Sequence, residues 1–196
     1  MPATTFSANT ILSLDAFQAV REEKRAQIMA LKKDRRVEVG PYAVFLFECF
    51  ETLWWQIHEM LRIEGGGDEQ VQDELAAYGP MLPQGTDWVT TMMFEIPSVT
   101  KRNALLFQLG HVEKTVELTF GTHTVKAEAI GDDVRTTPDG KTSAVHFLRF
   151  PFSAAHIEAL TTDPAPKVQL SITHPAYPHS TTLSAATLAA LRQDLA

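Results

Sequence analysis

The chain has 196 residues, 44% hydrophobic and 21% charged, with a net charge of −7 and one cysteine. At this length folding buries about 70% of the unfolded surface, enough for one large core, and a single thiol excludes an internal disulfide framework and the cysteine-rich zinc and iron–sulfur patterns. The acidic balance disfavours a general attraction to nucleic acid, and the longest apolar runs, such as Tyr42 to Phe47, fall far short of the ~20 residues a membrane span needs.

The N-terminus has no basic segment ahead of an apolar stretch and no small-residue cleavage site, so the expectation is a cytoplasmic protein of one domain, residues 1–196. Asp15 is the expected N-cap of a first helix, with Phe17, Val20, Ile28 and Leu31 at helical spacing. Residues 21–36 hold seven Lys and Arg against three acidic residues. The helix dipole favours cations at this end, and they read as a solvated helix face rather than a nucleic-acid surface. Residues 37–48 are rich in β-branched and aromatic side chains and read as an extended segment interrupted by Gly40-Pro41, hence a sheet edge or a bulge. Over 51–64 the period becomes helical, with Leu53, Trp54, Ile57, Met60 and Leu61 in one stripe ended by Gly65-Gly66-Gly67. Asp68 is the expected cap of a short helix to Tyr78, closed by Pro80 and Pro83.

A strand is predicted over 89–96, and Ser98 starts a helix with Leu105, Leu106 and Leu109 inward and Gly110 as its stop. Further strands are predicted over 115–120, 123–130 and 142–152, the last two joined through Pro138-Asp139-Gly140 in the simplest case as a meander. Ser153 caps a short helix, 168–173 alternates as a strand, and Ser184 caps a C-terminal helix with Leu188, Leu191 and Leu195. Helices first and strands later indicate an α+β fold, a mostly antiparallel sheet packed against N-terminal helices and a C-terminal helix.

His58-Glu59 begins like a helical zinc-protease motif, but Arg62 stands where the second histidine is required, and the Glu-x-x-His spacing of di-iron bundles fails at the same residue. What remains is a polar helix face on which Glu59 and Arg62 can pair. If the next helix covers it, Glu59, Arg62, Glu64 and Glu74 surround a ligand pocket. Strand alternation places His146 on one face with Ala144, Leu148 and Phe150, and His174 at the end of the Val168, Leu170, Ile172 face, just before Tyr177 and His179. Inward histidines are either hydrogen-bonded core residues or, as His146, His174 and His179 helped by Glu59 or Tyr177, ligands to a transition metal such as iron, zinc or manganese, or proton carriers. Gly65-Gly66-Gly67 lacks the Lys-Ser/Thr of a phosphate loop, and Gly110-His111-Val112-Glu113 lacks the downstream paired cysteines of a zinc deaminase. There is no Gly-x-Ser-x-Gly elbow, and Cys49 reads as a small buried hydrophobe.

Four strings occur in order: Gln56 to Glu64, Asp73 to Tyr78, Lys141 to Phe150, and His174 to Tyr177. Together they resemble a bacterial family of proteins of unknown function whose genes often lie beside those for rubrerythrin-like proteins and cysteine-rich iron–sulfur oxidoreductases. The resemblance spans nearly the whole chain, with Gly65-Gly66-Gly67 and Phe50 less typical of the family, and it brings no assigned catalytic residues. It implies a redox or oxidative-stress setting. The expectation is then a cytoplasmic accessory protein that binds a metal or small ligand between the sheet and the helices over 51–78. One cysteine cannot hold an iron–sulfur cluster of its own, so any cluster belongs to a partner. The alternative is a non-catalytic module that docks on an iron–sulfur or rubrerythrin-like partner. No reaction is legible in the sequence.

Overall fold

Two antiparallel sheets lie at the centre of the computed structural model, which describes residues 4–131 and 134–195. The first helix, α1 (Leu14–Lys33), is capped by Ser13, whose hydroxyl accepts from the Ala16 amide, so the expected cap Asp15 lies two positions past the cap, in the first turn. The extended segment predicted over 37–48 is a hairpin, β1 (Arg36–Val39) and β2 (Ala43–Phe47), turning at Gly40, whose φ of +66° suits glycine. Then come α2 (Phe50–Glu64), stopped by left-handed Gly65, and α3 (Asp68–Tyr78), whose N-cap is Gly67 rather than Asp68.

Strand β3 (Asp87–Phe94) and helix α4 (Val99–Gln108), capped by Ser98, lead to β4 (Val116–Phe120). The single strand predicted over 123–130 is two. β5 (His123–Lys126) pairs with β4, whereas β6 (Glu128–Ala129) pairs with β7 (Val145–Pro151) in the other sheet. The chain crosses between sheets at Ala127, whose amide still reaches the Val116 carbonyl at 2.9 Å, so the meander is interrupted there. Helix α5 (Ala154–Thr161) is followed by β8 (Val168–Ile172), β9 (His179–Thr182) and α6 (Ala185–Arg192), with Ser153 and Ser184 capping the two helices as predicted. The order is β1-β2-β3-β7-β6 in one sheet and β5-β4-β8-β9 in the other. The fold is α+β.

Three layers of packing set the site. Between the sheets lies the main core, with Phe45, Phe47, Met92, Leu148 and Phe150 from one sheet and Leu118, Phe120, Val168 and Leu170 from the other. On the opposite face of the five-stranded sheet, Leu53 of α2 packs with Met81, Leu82 and Val89, joined by Phe147. Outermost, Phe17 and Ile28 of α1 cover Trp55 of α2. Covering on both faces explains why β2 is buried at all five residues and reads as a continuous apolar run. Among the described residues, no helix is long and apolar enough to cross a membrane.

Candidate functional site

The apolar run of β2 ends in a carboxylate. Glu48 extends the ladder, its amide donating to the Val89 carbonyl at 2.8 Å, and its side chain is held under the helix layer at 6% exposure. The Thr52 hydroxyl, in the first turn of α2, lies 2.5 Å from Glu48 Oε2, and the Thr91 hydroxyl of β3 donates to Oε1 at 2.6 Å. Thr52 also accepts from the Cys49 amide at 3.0 Å and lies 3.1 Å from the Cys49 carbonyl. This network serves both protonation states. An ionised Glu48 accepts from Thr52, whereas a protonated Glu48 donates to Thr52 and the hydroxyl turns to the Cys49 carbonyl. Burial pushes the Glu48 carboxyl above the usual carboxylate range, against the Thr52 and Thr91 hydroxyls and the charges of Lys32 and Arg35.

Glu48 lines a cleft of about 410 Å³ between the five-stranded sheet and the helices. Its sheet wall is Leu46, Met93, Val145 and Phe147, and its helix wall is Leu53 and Met81, with Gln56 and Tyr78 adding polar groups. Lys32 and Arg36 bring positive charge to the lining, and Arg36 makes a two-pronged pair with Glu95 at 2.8 and 3.1 Å. An apolar chamber with a few convergent polar groups and a displaced carboxyl acidity is the usual form of a small-molecule site.

This cleft lies between the sheet and α2–α3, but none of the side chains expected to bind a ligand there lines it. Glu59 faces α1, accepting from Arg21 at 2.7 and 3.0 Å and from Arg62 at 3.1 Å. Hydrogen bonding from Arg21 holds its carboxyl below the usual range. Glu64 accepts from Gln70 at 2.9 Å, and half-buried Glu74 has its acidity weakened by burial and by nearby Glu64. Tyr177 is a clasp. Its hydroxyl accepts from the Tyr42 and Ala43 amides at 2.8 and 3.0 Å and donates to the Val39 carbonyl at 2.9 Å, fixing the β1–β2 turn. His179 rests on the Tyr177 ring, with centroids 4.4 Å apart, and His174 accepts from the Ala176 amide at 3.2 Å.

His146 does point inward, at 1% exposure, but into the inter-sheet core opposite Met92. Its neighbours Val145 and Phe147 line the cleft, so alternation turns His146 away from it, and the structure does not bring His146 together with Glu59, Glu74, His174 or His179. Among the described residues, no three His, Cys, Asp or Glu side chains are already gathered to hold a metal. His58, the start of the failed zinc motif, is structural. Nδ1 donates to the Trp54 carbonyl at 2.7 Å, which leaves Nε2 to accept from the Leu12 amide at 2.9 Å. The residues missed from the sequence, Glu48, Thr52 and Thr91, had one visible signal: a carboxylate continuing an unbroken apolar run, where no polar face is available to it.

The model of a protein family described as "Protein of unknown function (DUF3501)" matches residues 5–195. The chain belongs to this family. A solved structure described as a novel protein of unknown function from Burkholderia pseudomallei K96243 is 35% identical, with a TM-score of 0.89, covering 98% of this chain and 100% of its own. The layered sheets and helices of this DUF3501 chain are thus shared with that protein. No curated protein matches the sequence.

Proposed function

We propose that this DUF3501 protein binds a small, largely apolar molecule with a hydrogen-bond-accepting head in the cleft between the five-stranded sheet and α2–α3. The observation that carries this reading is Glu48, a buried carboxyl without a direct cationic partner among the described residues, held on two threonine hydroxyls in the wall of an apolar chamber. Such a group is costly to bury and gains its use when a ligand meets its proton. Lys32 offers charge to the same head group, while Arg36 is held by Glu95.

The redox setting implied by the sequence resemblance supplies the partner class for this reading: an iron–sulfur oxidoreductase or rubrerythrin-like protein that the ligand-loaded chain serves as an accessory. The binding claim is tested with anilinonaphthalene sulfonate, an apolar dye with an anionic head. Saturable one-to-one binding to the wild type is expected, weakened by Lys32→Ala and abolished by Leu53→Trp, which fills the chamber. No saturable binding, or equal binding by Leu53→Trp, would remove the cleft as a ligand site. Co-purification with each partner class tests the accessory role separately.

A further inference from the structure

On the other face of β7, His146 meets Glu113. His146 Nε2 lies 3.0 Å from the Ser143 carbonyl oxygen and 3.3 Å from the Thr142 hydroxyl. A carbonyl only accepts, so Nε2 carries the hydrogen and Nδ1 is left with a bare lone pair. That lone pair lies 3.8 Å from Glu113 Oε2, and both atoms are buried without a hydrogen-bond partner among the described residues. His146 is 1% exposed and Glu113 8%. Two acceptors therefore face one another across a gap in the interior, an arrangement that calls for a cation or a donor between them. Burial pushes the His146 imidazole below its ordinary pKa, against the opposing charge of Glu113.

A third group flanks the same carboxylate. His111 Nδ1 lies 3.7 Å from the other oxygen, Glu113 Oε1. His111 sits at φ +62°, the only non-glycine residue with positive φ among those described, and its amide is fixed by the Thr136 hydroxyl at 2.9 Å. Its ring is mostly exposed and free to swing, while the backbone that carries it is pinned beside Glu113. Metal–nitrogen and metal–oxygen bonds of about 2.0–2.2 Å in a tetrahedral shell put ligand atoms roughly 3.4 Å apart, close to the 3.8 Å between His146 Nδ1 and Glu113 Oε2, whereas His111 sits on the opposite carboxylate oxygen and must swing its ring to share an ion with His146. The Nε2–H to carbonyl bond of His146 is the outer contact that orients metal-bound imidazoles. Arg135, whose charge opposes a second cation, has its guanidinium over the Phe147 ring, a side chain on the opposite face of the strand.

We propose that His146 Nδ1 and Glu113 form a divalent-cation site that His111 closes, with two imidazoles and one carboxylate selecting a borderline ion such as Zn²⁺ or Fe²⁺ over Mg²⁺ or Ca²⁺. The site lies on the opposite face of β7 from the cleft, and the proposal stands whether or not the cleft binds a ligand.

The test uses untagged full-length protein stripped with a chelator and titrated with Zn²⁺, and with Fe²⁺ under anaerobic conditions. One equivalent is expected to bind, at least about tenfold more weakly in His146→Gln and in Glu113→Gln, with a smaller loss in His111→Ala. The ring pair His123 and His156, centroids 5.1 Å apart, is the natural adventitious site, so His156→Ala must leave the affinity unchanged. A long-range ¹H–¹⁵N spectrum of the wild type needs no folded variant. It should show His146 protonated on Nε2, with Nδ1 shifting on addition of Zn²⁺. An unmoved Nδ1 resonance at saturating Zn²⁺, or binding lost only in His156→Ala, overturns the proposal.

Discussion

Two buried titratable side chains give this protein opposite pH dependences. The Glu48 carboxyl is raised by burial, so the folded state holds its proton more tightly than the unfolded chain. Its contribution to stability is present at low pH and is lost as pH rises from about 4.3, the unfolded value, through the raised one. Glu48→Gln, which keeps partners for both threonines, should raise the melting temperature at pH 8 and lose that advantage towards pH 4. Each kcal/mol corresponds to about 2–4 °C at this chain length. His58 runs the other way. Burial lowers its basicity, so its contribution is present above about pH 6.5 and is lost as pH falls through the folded value. Protonation of Nε2 removes the acceptor of the Leu12 amide, so the protection of Leu12 against hydrogen exchange, corrected for the intrinsic rate, should fall as pH drops through the folded value and before global unfolding begins. An unchanged Leu12 protection factor across that range would count against this role.

Among the elements, the Tyr177 clasp joins the loop after β8 to the β1–β2 turn with one hydroxyl. Tyr177→Phe keeps the ring but orphans two buried amides and a carbonyl, at a cost of about 1–3 kcal/mol for each group that water cannot reach. Urea unfolding should show a lower midpoint with an unchanged slope. The sequence exposed most elements because their signals are local: serines at 98, 153 and 184 start helices by accepting amide hydrogen bonds, and Gly65 ends α2 in the left-handed region. Strand β9, His179-Ser180-Thr181-Thr182, carried no such signal, since an edge strand with alternating half-exposed side chains needs no apolar pattern. Alternation gave the inward direction of His146 but not which of two layers counts as inward. In a sheet covered on both faces that choice depends on long-range packing, and Glu113 comes from a turn after α4 that no periodicity marks. Glu48 was hidden for the same reason: its partners Thr52 and Thr91 are set by a helix turn and a strand register.

Across the whole molecule, the two ends of the fold are tied by a buried ion pair. Arg35, at the junction of α1 and β1, grips Asp194, after α6, through two bonds of 2.8 Å. Asp194→Ala leaves a buried guanidinium unbalanced and should cost about 3–5 kcal/mol, whereas the paired replacement Arg35→Met with Asp194→Leu should fall close to the wild type. Thermal unfolding of the three proteins decides this, and a double variant as unstable as the single one would show that the pair does more than neutralise itself. A last consequence follows from β7, where Val145 and Phe147 face the cleft and His146 between them faces Glu113. A single strand separates the cleft from the His146–Glu113 pair, so a molecule that shifts Phe147 displaces the peptide units that aim His146. Dye and Zn²⁺ should then sense one another through this common wall, each altering the other's affinity by the same factor.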